Sequence, residues 1–284
     1  MGLEKNGAAL LLKMRSDGVK LGRMVTLGHQ NIYLDLAEYA RAFHRVGLVP
    51  PATVPEFADD FFRAVGASQL EALDFSSFEG ATLVHDLNQP IPSEWHQQYD
   101  LVFDGGTLEH VFNFPMAIKN CMQMLKPQGR FVSVTIPNNW CGHGFYQFSP
   151  ELFCRVFSPA NGFSIVEMYI AEMSGRAYAV KDPELVKSRV ELCNGRPVLL
   201  LVHARRDACS DIFAEPPQQS DYIAHWNTAP AARPLSNNKW FSRWKHYPVL
   251  NQLRKVRRMI ADRRVLQGRS LRNTRFYTPI DLSI

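Results

Sequence analysis

The sequence lacks the features that would place a protein in a membrane or outside the cell. No run of about 18 uncharged apolar residues occurs, so we expect no transmembrane helix. The first residues do not have the basic-then-apolar order of a signal peptide, because Lys13 and Arg15 interrupt the short apolar stretch 8–12. Asn6 stands where a myristoylation signal beginning at Gly2 needs Ser or Thr. We therefore expect a cytoplasmic protein.

Cysteine is scarce and irregularly spaced. The five cysteines are odd in number and no two have a C-x-x-C spacing, which argues against a disulfide framework or a zinc site. His85, His110 and His143 are far apart in the sequence, and no helical histidine pair is evident. We therefore expect no bound metal.

Acidic residues are almost absent from one part of the chain. Between Lys239 and Arg275 there are twelve Lys or Arg and a single acid, Asp262, so this stretch has a formal charge of +11 and the rest of the chain −6. Trp and Phe side chains lie among the basic residues of 239–264, which predicts an amphipathic basic helix or helix pair interrupted at Pro248. It could pack on the acidic body, lie on an anionic membrane, making the protein membrane-peripheral, or bind nucleic acid. No recognisable nucleic-acid-binding module supports the last alternative.

From Arg23 onward, short apolar runs alternate with longer helical patterns. This alternation is typical of a parallel sheet flanked by helices, and several runs, such as 131–136 and 198–202, are apolar almost throughout, as strands covered on both faces require. We therefore predict an α/β fold with a mostly parallel sheet of seven strands, helices on both faces and an antiparallel final strand pair. The predicted strands are 23–27, 69–73, 81–84, 99–103, 130–136, 163–170 and 198–204.

Helical patterns and changes of composition divide the chain into three parts. Helices are predicted over 34–46, 56–65 and 114–125, and another begins at Ser149-Pro150, where Pro suits the first helical turn. The predicted organisation is an N-terminal segment 1–22, one domain 23–210, and a linker with the basic amphipathic tail, a C-terminal helical extension, over 211–284.

Two motifs occur in order within this domain. Residues 99–111 form an apolar strand that ends at Asp104 and continues through Gly-Gly-Thr into Leu108-Glu109-His110, and residues 117–131 contain Leu-Lys-Pro-Gln-Gly before the next strand. In order and spacing these motifs resemble the class I S-adenosylmethionine-dependent methyltransferases, of the methyltransferase type 11-like kind. The resemblance covers residues 23–205 and implies a Rossmann-like sheet with S-adenosyl-L-methionine as the cofactor.

The residues after the strands are the candidate ligand contacts, because open α/β sheets bind ligands beyond the carboxyl ends of their strands. The resemblance implies that Asp74 accepts hydrogen bonds from both ribose hydroxyls, and that Asp86 and Leu87 lie beside the adenine. It also implies that Asp104 and Gly105 adjoin the sulfonium, where a carboxylate balances positive charge. The alternative for Asp74 and Asp86 is a turn-forming role only.

The loop after the first strand departs from the family pattern. Gly28 is the one glycine kept, and His29, Gln30 and Asn31 follow it where the family has more glycine. Bulky side chains there would push a cofactor outward, or could supply donors to its carboxylate. We therefore include Gly28, His29 and Gln30 among the predicted cofactor contacts.

Polar residues that could bind a methyl acceptor follow the fourth and fifth predicted strands. His110 and His143 are candidate catalytic bases, with a structural role of the Leu-Glu-His segment as the alternative. Asn and Gln amides and a Tyr hydroxyl suit sugar hydroxyls, and the alternative is a rigid loop whose polar groups bond internally. The predicted substrate contacts are Asn138, Asn139, Tyr146 and Gln147.

These residues lead to a function hypothesis with two alternatives. The hypothesis is S-adenosylmethionine-dependent methyl transfer, as O-methylation, to a small-molecule or glycan acceptor. The divergent loop at Gly28 favours a non-catalytic methyltransferase-like binding or scaffold protein, and the basic tail keeps an RNA methyltransferase open. A nicotinamide-dependent enzyme is poorly supported, because no G-x-G-x-x-G follows the first strand.

Overall fold

A computed structural model describes residues 2–222, 266 and 268–284. Its strands are β1 Gly2–Leu3, β2 Gly22–Leu27, β3 Asn31–Ile32, β4 Ala67–Asp74, β5 Leu83–Val84, β6 Tyr99–Asp104, β7 Leu125–Asn138, β8 Phe163–Glu172, β9 Ala177–Val180, β10 Val198–Arg206 and β11 Tyr277–Ile280. Its α-helices are α1 Lys5–Ser16, α2 Leu36–Arg45, α3 Asp59–Ala64, α4 Phe114–Met124, α5 Pro150–Val156 and α6 Pro183–Val186.

One large mixed sheet organises these elements. Nine strands lie in the order β11-β9-β8-β10-β7-β6-β2-β4-β5. The run from β7 through β6, β2 and β4 to β5 is parallel, and β10 is antiparallel to both of its neighbours, β7 and β8. From β2 the chain builds outward to β4 and β5, and then returns to place β6 on the other side of β2. The strand order therefore reverses between β2 and β6, and ligands bind at such a reversal in open α/β sheets.

Strands β2 and β6, in the middle of the parallel run, pack on both faces. Along β2, Met24 lies in the core beneath α1, α2 and α3, whereas Val25 lies in the core beneath α4 and α5. Phe103 and Val102 alternate between the same two cores on β6. This confirms the prediction of helices on both faces, since apolar side chains are buried on each side.

The predicted strands are all present, but the predicted count of seven is too low. The antiparallel final pair, β8 with β10, is confirmed. The large sheet gains β9 and β11 at one edge, and β11 comes from the end of the chain. Pro279 within β11 is compatible with its edge position, because an edge strand has one side without ladder bonds. That proline made this stretch difficult to recognise as a strand.

Helix α1 is a further element that the sequence analysis did not predict. Its side chains at Ala8, Leu10 and Leu11 are fully buried in the core that contains α2 and α3. Glu4 caps its start, since the carboxylate accepts hydrogen bonds from the amides of Asn6 (2.8 Å) and Gly7 (2.6 Å).

The basic amphipathic helix predicted over 239–264 lies outside the described residues, as does most of the tail. At the end of the chain, Tyr277 is buried at the start of β11, and Leu282 is buried just after this strand. Among the described residues, we find no helix whose length and hydropathy would let it cross a lipid bilayer.

An ion pair fastens α1 to the sheet. Lys13 Nζ bonds Asp17 (2.6 Å) and a carboxylate oxygen of Glu167 on β8. Burial alone would raise the pKa of Glu167, but nearby His203 and Lys13 outweigh it and lower that pKa to about 2. The unfolded value is higher, so this carboxylate adds stability above about pH 4.5 that is lost as the pH falls towards 2.

We predict that Lys13→Met lowers the free energy of unfolding at pH 7 by about 1 kcal/mol. The difference from wild type should shrink as the pH falls to 2, because the Glu167 carboxylate of the wild type is about half protonated there. Urea unfolding at pH 7, 4 and 2 measures this, with Lys20→Met, an exposed lysine before β2, as the control. A loss of the same size at pH 2 would contradict the assigned ion pair.

Candidate active site

A cavity of about 440 Å³ opens at the carboxyl ends of the parallel strands. Its size is within the range of small-molecule sites, and it combines apolar walls with a few polar groups, as such sites do. It brings together four residues predicted from the sequence: Asp74, Asp86, Leu87 and His110. The lining consists of Leu73, Asp74, Phe75, His85, Asp86, Leu87, Asn88, Thr107, His110 and Val111.

Asp74 ends β4 at the wall of this cavity. Its Oδ1 accepts a hydrogen bond from the Phe75 amide at 2.6 Å, which fixes the direction of the carboxylate. Within the described residues, its Oδ2 receives no hydrogen bond from the protein. The side chain is half-buried, so one oxygen is available to a ligand that enters the cavity.

Asp86 and Leu87 follow β5 and form the next part of the wall. Asp86 Oδ1 accepts hydrogen bonds from the Asn88 amide (2.9 Å) and side chain (2.7 Å), and these bonds lower the pKa of Asp86. The turn-forming role is thus present, and within the described residues Oδ2 has no protein partner. Leu87 is buried, with 6% exposure, and gives the wall an apolar surface.

A buried amide that the sequence analysis missed holds this loop. Asn120 on α4 donates to the carbonyls of Leu87 (3.2 Å) and Gln89 (2.8 Å) and accepts from the Ile91 amide (3.2 Å). Asn120 is completely buried, so the loop supplies its hydrogen-bond partners. A lone Asn on an otherwise apolar helix face is the signal that could have identified it.

Asp104 and Gly105 do not line the cavity. Asp104 is completely buried at the end of β6, where its carboxylate accepts from Ser133 Oγ (2.7 Å) and from the amides of Thr107 (2.8 Å) and Leu108 (3.2 Å). Burial raises the pKa of Asp104 in spite of these bonds. Because its oxygens bond the turn that follows β6, the carboxylate shapes this turn.

The loop after β2 turns its bulky side chains away from the cavity. His29 stacks on Phe57, with ring centroids 3.7 Å apart, and its Nε2 lies 2.9 Å from an Asp59 carboxylate oxygen. Gln30 is buried and donates to the carbonyls of Leu27 (2.5 Å) and Gly28 (3.2 Å). The donors that we predicted for a cofactor carboxylate are therefore engaged within the protein.

The region between Gly28 and Gly105 is filled by the protein itself. A Cβ at Gly105 would meet the amide oxygen Oε1 of Gln30, and this oxygen has no partner among the described residues. The Gly2 amide donates to the Gly105 carbonyl at 3.1 Å, and β1 pairs with β3 beside the same loop. The cavity accordingly stops at Thr107 and His110 and does not reach Gly28.

His110 and His143 meet at the lip of the cavity. Their Nε2 atoms are 3.2 Å apart, and a carboxylate oxygen of the buried Glu109 lies within 4.8 Å of both. Burial and the Asp104 charge raise the pKa of Glu109 to about 8, and burial lowers the pKa of His110. The fold joins His110 and His143, so their separation in the sequence is no argument against a metal-ligating cluster.

The residues predicted to contact a sugar mainly form hydrogen bonds within the protein. Asn138 donates to the Asn194 side chain (2.7 Å), and Asn139 donates to Asn194 and to the Arg196 carbonyl (2.9 Å). Gln147 Oε1 accepts from the Trp140 amide (3.1 Å), and the Tyr146 hydroxyl donates to the Phe112 carbonyl (2.6 Å). These bonds agree with the alternative from the sequence, in which the polar groups of this loop bond internally.

No protein-family model matches the chain, and no curated protein matches it. Solved structures do align with it. The N-methyltransferase NodS from Bradyrhizobium japonicum, in complex with S-adenosylhomocysteine, has a TM-score of 0.40 and 14% identity over 71% of this chain and 86% of its own. An S-adenosylmethionine-dependent methyltransferase from Mesorhizobium loti has a TM-score of 0.38 and 18% identity over 71% and 99% of the two chains.

A third such structure is the Burkholderia thailandensis 1,6-didemethyltoxoflavin-N1-methyltransferase. Its TM-score is 0.39, with 13% identity over 71% of this chain and 77% of its own. Because each of these TM-scores is below 0.5, we base the proposed function on the cavity itself.

We predict that Asn120→Ala lowers the free energy of unfolding by about 2–3 kcal/mol, because it leaves buried backbone groups without partners. Urea unfolding measures the loss, and hydrogen exchange of the Ile91 amide should accelerate. Gln123→Ala on the same helix is the control and should change stability by less than about 0.5 kcal/mol. Equal stability of the two variants would show that Asn120 does not hold the loop.

Proposed function

We propose that this chain is an S-adenosylmethionine-dependent methyltransferase that acts on a small-molecule or glycan acceptor, most simply at an oxygen atom. The observation that carries the proposal is the cavity beyond the carboxyl ends of β4, β5 and β6, where Asp74, Asp86 and Leu87 come together. The resemblance in sequence assigns the ribose to the first of these residues and the adenine to the other two.

The adenosine half of the cofactor fits the residues present. Asp74 Oδ2 is available to accept from ribose hydroxyls, since a carboxylate oxygen has two lone pairs. The Leu87 side chain offers an apolar surface to the adenine, and Asp86 Oδ2 can accept from its amino group. The bonds from Asn88 lower the pKa of Asp86, so they favour the ionised carboxylate that accepts hydrogen bonds.

The methionine half requires a rearrangement of the protein. Gln30 and the Gly2–Leu3 strand occupy the region beside Gly105, so a ligand there must displace one of them. Gln30 Oε1 is buried without a partner among the described residues, which favours movement of this side chain. When bound, S-adenosylmethionine supplies a methyl group on a positively charged sulfur, and the protein has to align the acceptor with it.

The acceptor side of the proposal rests on the loop after β7. This loop places His143 beside His110 at the lip of the cavity, where an acceptor can approach from solvent. The side chains of Asn138, Asn139, Tyr146 and Gln147 form hydrogen bonds that tie this loop to neighbouring segments. Contact of the basic tail with an anionic membrane, and a cytoplasmic location, remain predictions from the sequence.

Gln30 and the Gly2–Leu3 strand fill the region that the methionine part of the cofactor would occupy. This favours a second candidate, a nucleoside-binding protein without methyltransferase activity. Both candidates use the same adenosine pocket. They differ in whether the region beside Gly105 opens to take the rest of the cofactor.

We predict that the protein binds S-adenosylhomocysteine and that Asp74→Asn weakens this binding about 10- to 100-fold, the effect of losing a charged hydrogen-bond acceptor. Isothermal titration calorimetry measures both affinities. The control Asp60→Asn alters an exposed carboxylate on α3 and should leave the affinity unchanged. If Asp74→Asn binds as well as wild type, the ribose does not lie where we place it.

We further predict that Gln30→Ala raises the affinity for S-adenosylhomocysteine about ten-fold relative to that for adenosine, because it clears space beside Gly105. Calorimetry with both ligands gives the ratio, and thermal unfolding verifies that the variant is folded. A ratio that stays at the wild-type value would argue that Gln30 is not the obstacle. Binding of adenosine alone by both proteins would support the second candidate.

A further inference from the structure

The Glu109, His110 and His143 cluster has the geometry of a metal site. The two imidazole Nε2 atoms are 3.2 Å apart, and all three ligand atoms lie within 4.8 Å of one another. Two nitrogens bound tetrahedrally to zinc at about 2.0–2.1 Å are about 3.3 Å apart. The imidazoles are therefore spaced as a shared ion would hold them, and the carboxylate of Glu109 is the third candidate ligand.

The two loops that carry the ligands are fastened to each other. The amides of Phe145 and Tyr146 both donate to the Glu109 carbonyl, at 2.8 and 3.3 Å. Gly144 allows this approach, because its φ is +70° and a Cβ there would lie 2.8 Å from the same carbonyl oxygen. His143 is thus held opposite His110 by backbone contacts that do not depend on either ring.

The ligand side chains also have supporting partners. Thr135 Oγ1 donates to Glu109 Oε2 at 3.0 Å and fixes the orientation of the carboxylate. The Trp140 ring packs edge-on against His143, with centroids 5.7 Å apart. Metal sites typically have such outer partners, which hold the ligands in the orientation that the ion needs.

We propose that Glu109, His110 and His143 bind a divalent transition metal ion of the zinc type. Two imidazoles and one carboxylate are the donor set of catalytic zinc sites and of related first-row metals, whereas magnesium and calcium prefer oxygen ligands alone. Three protein ligands leave at least one coordination position open. His110 lines the cavity, so this position is next to the adenosine pocket.

The open position suggests a role, which rests on the proposed function. An acceptor hydroxyl bound to the ion is more acidic than it is in water, and its proton is released to solvent at the exposed lip. The methyl group of a bound cofactor would then pass from sulfur to this oxygen, and the electron pair of the broken S–C bond would stay on sulfur. This role favours an oxygen acceptor, which deepens the proposal of O-methylation.

The test uses the full chain, stripped of metal with a chelator and with any purification tag removed. Titration with Co²⁺, followed by its visible absorption, should give one site per chain, and Zn²⁺ should displace the Co²⁺. His143→Ala and His110→Ala should each weaken binding at least about 100-fold, since even the loss of an outer partner costs 10- to 100-fold. His44→Ala, which removes an exposed histidine of α2, is the matched control and should bind as wild type does.

Several results would overturn the metal site. One is that the wild type does not bind Co²⁺, and another is that His143→Ala binds it as tightly as the wild type. A third is that His44→Ala and His143→Ala lose the same affinity, which would indicate binding by scattered surface histidines. Circular dichroism verifies folding, and if His143→Ala is unfolded, His143→Gln and Glu109→Gln replace it with the same expected loss. Calorimetry with S-adenosylhomocysteine on the same proteins separates the two proposals. Metal binding without nucleoside binding keeps the metal site and removes the proposed function.

Discussion

The site depends on one constraint, which is that β2 lies between β4 and β6 in a parallel run of strands. Because the strands are parallel, their carboxyl ends meet at one edge, and residues that are distant in sequence are collected there. Asp74 from β4, Asp86 after β5 and Thr107 after β6 reach the same cavity only through this order. The two apolar cores, one on each face, hold the strands in position, so the cavity is fixed by packing far from it.

Polar residues near this edge serve two separate purposes. Asp104, Asn120 and Asn139 use their oxygens and amides to shape turns, and their partners are backbone groups and neighbouring side chains. Asp74 and Asp86 each keep one oxygen without a protein partner in the described part of the chain. When a carboxylate lines a cavity and its second oxygen has no protein partner, that oxygen can accept a hydrogen bond from a ligand. The presence of such an oxygen separates the candidate ligand contacts from the structural residues.

Much of the sheet could be predicted from the sequence, because strands such as β7 and β10 contain almost continuous apolar runs, as strands covered on both faces require. Asp74, Asp86 and Leu87 could be predicted as cavity residues, because they lie at the end of a strand or within three residues after one. Helix α1 was not, because basic residues interrupt its apolar stretch, and the packing that buries it is a tertiary effect. His110 and His143 are 33 residues apart, and they meet because the amides that follow Gly144 bond the Glu109 carbonyl. The Gln30 side chain turns inward because it donates to backbone carbonyls, and only the fold sets the directions of these carbonyls.

The central claim is that the cavity between Asp74 and Leu87 is an adenosine pocket. The most direct test is a crystal structure of the full chain with S-adenosylhomocysteine. The ribose hydroxyls should lie within hydrogen-bond distance of Asp74, and the adenine should lie against Leu87 with its amino group towards Asp86. Ligand density at another place on the protein, or a cavity that stays empty at saturating ligand, would contradict it.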